Sequence, residues 1–144
     1  MKKEIKKLFN FAFLYCILAM IGGVFFREFT RMNNFNDVTS LSLIHTHFFV
    51  LGTFFFLVLV FIEKEFKISK IKNYNASILI YNLGLIITSL MFFIRGICDV
   101  SFKISSMHDK IISGFSGIGH ITLGIGLVMI LLIIKKSIYD FVNK

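Results

Sequence analysis

The chain has 144 residues, 56% of them hydrophobic and only 17% charged, with a mean hydropathy of +0.82 and a formal charge of +8. This balance lies outside the range of soluble globular domains and describes an integral membrane protein. The positive charge does not indicate a nucleic-acid partner, because the lysines and arginines sit between and beside apolar runs, with no nucleic-acid motif and no basic-aromatic surface stretch.

The N-terminal MKKEIKK followed by an apolar run over 8–26 resembles a signal peptide only superficially. The run is too long and no small-residue cleavage site follows, so it is expected to remain as the first span. It closes on Gly22 and Gly23, small residues that let a neighbouring helix approach. A loop bearing Arg27, Glu28, Arg31 and Asp37 comes next, with Asp37, Thr39 or Ser40 placed to cap the following helix. The second span, 40–62, reads SLSLIHTHFFVLGTFFFLVLVFI and ends at Glu63, Lys64 and Glu65. A short basic loop leads to a third span, 76–94, which stops at Arg95 and Gly96. A loop of about 15 residues precedes the fourth span, 111–134, closed by Lys135 and Lys136. Each run suits a helix crossing a bilayer, since about 20 residues at ~1.5 Å rise span a ~30 Å hydrocarbon core. The expected fold is therefore all-α: an integral membrane four-helix bundle forming one domain over 1–144.

Orientation follows from the basic residues. Eleven of the 16 lie in the N-terminal tail, the second loop and the C-terminal tail, and five in the first and third loops, so the positive-inside rule puts both termini in the cytoplasm of a multi-pass cell-membrane protein. All three arginines fall on the opposite, outer side. Arginine holds carboxylates bidentately where lysine acts as a point charge, which makes Arg27, Arg31 and Arg95 candidates for haem propionates. Cys16 falls mid-span and Cys98 near a span end, at different depths, and no disulfide is expected.

The chemistry-bearing residues are the histidines. Imidazoles inside an apolar span are functional candidates by default, because burying them without partners costs free energy. His45 and His47 both fall in the outer leaflet of the second span. Two positions apart on a helix is about 200° of rotation, so their rings face nearly opposite directions and address different neighbours. Gly52, seven residues after His45, leaves a flat strip on nearly the same face as His45, against which a planar macrocycle fits. In the fourth span Gly117, His120 and Gly124 share a face, with Ser113 above them. Small residues at these intervals also serve plain helix packing, and a histidine can hydrogen-bond across helices. Three histidines beside glycine strips in the outer halves of two spans favour a metal or haem iron. His108, beside Asp109, reads as a solvated loop imidazole. Zinc hydrolysis and di-iron chemistry lack ligands, with no Cys-x-x-Cys, no H-E-x-x-H and no acidic pair inside a span. Met20 and Met91 are soft enough for copper but fit gap filling equally well.

FFREFTRMNNF, SLSLIHTHFFVLG and ISGFSGIGH together make the whole chain resemble a family of small four-helix bacterial membrane proteins of unknown function. Within it, IHTHFFVLG resembles the second helix of the catalytic subunit of cbb-type haem-copper oxidases and the related nitric oxide reductases. That resemblance implies a low-spin haem ligand at His45 and a second haem-facing role for His47. It also implies that a four-helix chain forms one arc of a homo-oligomer. It does not extend to oxygen or nitric oxide reduction, because the copper-binding histidines and the cross-linked tyrosine have no equivalents.

The function expected is that of a small b-type cytochrome for electron transfer, with haem in the outer half of the bilayer and a quinol or another redox partner. Two ligation schemes are open: His120 with a second-helix histidine of the same chain, or His45 of one chain with His47 of a neighbour in a dimer or trimer. The second is the preferred expectation, with His120 hydrogen-bonded or at a second site. A non-haem copper or zinc carrier, or a scaffold whose histidines join helices, is the alternative.

Overall fold

The structure is a computed structural model that describes residues 2–101 and 106–143, apart from the side chains of Ser106 and His108. Four long helices carry the chain: α1 (Lys2–Met32), α2 (Ser42–Phe66), α3 (Tyr74–Ser101) and α4 (Ser106–Val142). All four are long and apolar enough to cross a membrane. Each outruns its apolar stretch, because intrahelical hydrogen bonding continues through the polar flanks where water or capping groups can meet the ends. Phe13, Val24, Phe61 and Leu132 are each more than half exposed, so the bundle presents an apolar girdle of the kind a lipid bilayer covers.

Helices α1 and α2 form one antiparallel pair, α3 and α4 another, and α3 lies against both. The pairs join in a fixed register along α1 and α3, which run in the same direction: Lys7 Nζ donates to Asn75 Oδ1 at 3.0 Å, the Tyr15 hydroxyl donates to Asn82 Oδ1, and Phe25 meets Phe93 with ring centroids 5.2 Å apart. Tyr15, Phe56, Tyr81 and Leu85 fill the centre and are at most 2% exposed. The α3–α4 seam is the closest, because glycines let backbone meet backbone. A Cβ on Gly84 would strike the Leu123 backbone, and one on Gly126 would strike the Tyr81 backbone.

The connections are tied to the helices they join. At the arginine end, Leu41 packs on Gly96, Thr39 Oγ1 donates to the Gly96 carbonyl at 3.2 Å, and the Asp99 carboxylate accepts the Ser40 amide at 3.1 Å. Thr39 Oγ1 also accepts the Leu41 amide, so Thr39 and Asp99 of α3 fasten the approach to α2, whereas its N-cap is Leu41 and carries no side-chain cap, in place of the Asp37, Thr39 or Ser40 expected. At the lysine end α2 stops where Lys67 takes a left-handed φ of 55°. Glu63, fully buried, then accepts both the Ser69 amide at 2.9 Å and the Ser69 hydroxyl at 2.6 Å, which folds the turn back under the bundle. Cys16 and Cys98 are both free.

Between His47 and Phe55 the second helix widens into a π-helical stretch, Phe48–Phe54. A π turn holds more residues than an α turn and leaves a carbonyl to be satisfied from outside the ladder. Here the Tyr81 hydroxyl donates to the Leu51 carbonyl at 2.7 Å, and Thr53 Oγ1 donates to the Phe48 carbonyl at 3.3 Å. The widening resets the rotation of the histidine end. In an uninterrupted helix His47, nine residues before the core residue Phe56, would point roughly 180° away from it; the slower winding turns it inward by roughly 100°.

Candidate cofactor-binding site

The inward turn of α2 carries His47 toward α3 and α4. Its ring lies 4.8 Å from that of Phe92 on α3 and 6.3 Å from that of His120 on α4, centroid to centroid, with the two imidazole planes crossed at 88°. Phe92 stands beside both, 5.7 Å from His120. The lysine-end half of α2 packs on α4, where the Ser137 hydroxyl reaches the Phe66 carbonyl, whereas the histidine half stands off by the width of two imidazoles. His47 is half-buried and His120 exposed, so the gap between them opens to the surface of the bundle.

Both rings are held the same way. His47 Nδ1 bonds the Leu43 carbonyl at 2.9 Å and His120 Nδ1 bonds the Ser116 carbonyl at 2.8 Å, each one helical turn back. A carbonyl only accepts, so each Nδ1 must be the protonated nitrogen in the neutral ring, which leaves each Nε2 with a free lone pair. This is the arrangement by which ligating histidines are oriented from behind. A metal about 2.1 Å from each nitrogen would put two facing imidazole centroids about 6 Å apart, in keeping with the observed separation.

The glycines of α4 divide into two sets. Gly119 and Gly126 face α3 and have no room for a Cβ, whereas at Gly114, and at the pair Gly117 and Gly124, an added Cβ would meet nothing within 4 Å. The open pair flanks His120 on the same side of the helix, leaving a strip without side chains around the exposed imidazole. Gly52 is different. Its free side is filled by Tyr15 of α1, so this glycine serves close helix packing and the flat strip expected beside His45 is occupied.

His45 points the other way, as the 200° divergence requires. Its Cβ and Cγ lie 3.7–3.9 Å from where a Gly23 Cβ would stand on α1, and its Nδ1 is buried with no hydrogen-bond partner among the described residues. Among the arginines, Arg95 lies one turn beyond Phe92 on α3. Its Nη2 donates to Asp109 Oδ1 at 2.6 Å and to Ser113 Oγ at 2.7 Å, both on α4. Arg27 and Arg31 stay on the last turns of α1 beside Glu28, at 3.7 and 4.0 Å. The His108 side chain lies outside the description. Among the described residues no three His, Cys, Asp or Glu side chains converge on a metal position.

Sequence reasoning singled out His47 and His120 but not the π-helical stretch that aims one at the other, nor Phe92 between them. Neither has a sequence signature; an aromatic on an apolar helix reads as packing.

The fold and these positions define an all-helical chain of four membrane-length helices with a half-buried His47 beside an exposed His120 near one end. A protein-family model covers nearly all of it: residues 5–137 match the family described as protein of unknown function, DUF2871, and the chain belongs to that family. No curated protein and no solved structure matches it.

Proposed function

We propose that this chain is a small multi-pass membrane cytochrome that holds b-type haem in the gap between α2 and α4, with His47 and His120 as the two iron ligands. The observation that carries the reading is the pair of imidazoles 6.3 Å apart, each anchored through Nδ1 with Nε2 free, beside the open Gly117 and Gly124. A zinc ion held by protein takes three or four side-chain ligands, whereas haem iron brings four nitrogens with it and asks the protein for two. Only two are brought together among the described residues.

Each side chain then has a definite task. His47 and His120 bind the metal, and the Leu43 and Ser116 carbonyls fix their tautomers. Gly117 and Gly124 leave room for a flat macrocycle, and Phe92 packs on the edges of both ligands. Arg95, already on a carboxylate of Asp109, is the guanidinium placed to exchange it for a propionate. When bound with both axial positions filled, haem supplies one-electron transfer rather than substrate activation. The single-chain pairing is preferred to a His45–His47 bridge between chains, because the structure turns His45 toward α1 and His47 toward His120. Both termini in the cytoplasm, haem in the outer half of the bilayer, a quinol or protein redox partner and a homo-oligomeric assembly complete the proposal.

The test is an absorbance spectrum of the purified protein, produced with haem supplied, oxidised and dithionite-reduced. The expected outcome is a reducible Soret band that His47→Ala and His120→Ala each abolish, that His45→Ala retains, and that carbon monoxide does not shift. Colourless protein, or a Soret band that survives His120→Ala, rejects the reading. Colourless protein that retains one copper per chain would establish the copper alternative.

A further inference from the structure

The outer surface of the α1–α3 seam carries a second candidate site, at the lysine end and far from the histidines. Two grooves meet there, sharing Lys7 and Phe11. One lies over the first turns of α1 among Lys3, Lys6, Lys7 and Asn10. The other runs on between α1 and α3, walled by Ile78, Leu79, Leu83 and Ile86.

Charge and depth give this surface its meaning. Lys3 and Lys6 are exposed and make no ion pair among the described residues, while Lys7 Nζ bridges the mouth of the groove, 3.0 Å from Asn75 Oδ1 and 3.7 Å from Glu4. Lys3 repels Lys6 and Lys7, at i+3 and i+4 on one helix, by a few tenths of a kcal/mol each, and Glu4 beside Lys7 offsets only one of the three positive charges, so the patch favours an anion. Below it the groove is apolar. Asn82, at its base, already accepts from Tyr15 and donates to the Ile78 carbonyl, and offers little to a polar ligand. From Asn75 to Ile86 the groove descends about 16 Å along α3, which is half of a ~30 Å hydrocarbon core, or one leaflet.

We infer that this seam is a binding site for one anionic phospholipid of the leaflet at the lysine end, its headgroup phosphate on Lys3, Lys6 and Lys7 and an acyl chain in the α1–α3 groove. A second copy of the chain is a poorer occupant. A two-fold axis along the membrane normal would set its three lysines against these three, and like charges at an interface are repulsive. The inference depends on a bilayer environment and is independent of any haem.

Native mass spectrometry of the detergent-released full chain tests it, with phosphatidylglycerol and phosphatidylcholine of identical acyl chains as probes. One phosphatidylglycerol per chain should bind in preference. Each lysine replaced by glutamine should weaken it about fivefold, since a basic residue near the surface contributes ~1 kcal/mol, and K3Q/K6Q/K7Q together should weaken it on the order of a hundredfold, with phosphatidylcholine unaffected. The triple lysine-to-arginine variant should retain binding, and Leu79→Trp, which fills the groove, should lose it with all three lysines in place. Equal binding of the two lipids, or unchanged phosphatidylglycerol binding in K3Q/K6Q/K7Q or in Leu79→Trp, would overturn the inference. So would competition by glycerol phosphate as effective as the intact lipid, which would make this a headgroup site alone, or a dimer dissolved by the same variants. Should the glutamine variant fail to fold, the arginine and tryptophan variants decide the matter.

Discussion

The two glycine sets of α4 and its partner helix make opposite predictions for the same substitution. Gly84→Ala places a methyl group against the Leu123 backbone, which cannot move aside unless α4 shifts as a whole. Overpacking of this kind costs ~1–3 kcal/mol, partly offset by the ~0.5–1 kcal/mol that alanine gains over glycine inside a helix. Gly117→Ala places the same methyl group where nothing lies within 4 Å, so only the favourable helix term remains. The helix term is common to both, so the two variants should differ by the overpacking cost alone, about 1–3 kcal/mol, a factor of roughly 5 to 150 in the unfolding equilibrium, with Gly84→Ala below the parent and Gly117→Ala at or above it. Reversible unfolding in mixed micelles of dodecyl sulfate, followed by circular dichroism, measures both. Equal stabilities would refute the argument, because they would mean that α4 is rotated about its axis relative to the packing described.

Tyr15→Phe leaves the Asn82 side-chain oxygen without its donor at 7% exposure and should cost about 1–3 kcal/mol, while Tyr15→Phe/Asn82→Leu should recover part of that loss in the same assay. Tyr81→Phe strands the Leu51 carbonyl of the π-helical stretch; beyond a loss of ~1 kcal/mol, it should lower the absorbance of bound haem by loosening the aim of His47, and a spectrum identical to the parent's would deny that link. Arg95→Gln removes an ion pair whose carboxylate partner is 53% exposed, so its effect on unfolding should stay below about 1 kcal/mol, whereas haem retention on dilution should fall. Gly117→Leu should fold normally and yet block haem uptake, and full occupancy in that variant would show that the open strip is not used.

The architecture was readable because it rests on composition. Four apolar runs bounded by charge can become little else than four long helices, and their order and the divergence of His45 from His47 followed from helical geometry alone. The limits were less readable: the first helix extends from Lys2 to Met32 rather than over 8–26, because polar residues prolong a helix without leaving a hydropathy signal. The nearness of His47 to His120 within one chain was not readable from spacing, which left both ligation schemes open. That nearness depends on the π-helical stretch over Phe48–Phe54, where the run FFVLGTF carries no marker of a widened turn. Gly52 shows the same limit, since a glycine that opens space for a ligand and one that admits Tyr15 are identical letters until the partner helix is in place.

The bonds that join Tyr15 to Asn82 and Leu51 to Tyr81 have a consequence for biogenesis. Both unite the half of the polypeptide made first with the half made later. Until α3 is made, the Tyr15 hydroxyl and the Leu51 main-chain oxygen await groups still to be synthesised. The early hairpin is thus an unfinished object, and arrival of α3 is the event that closes the structure.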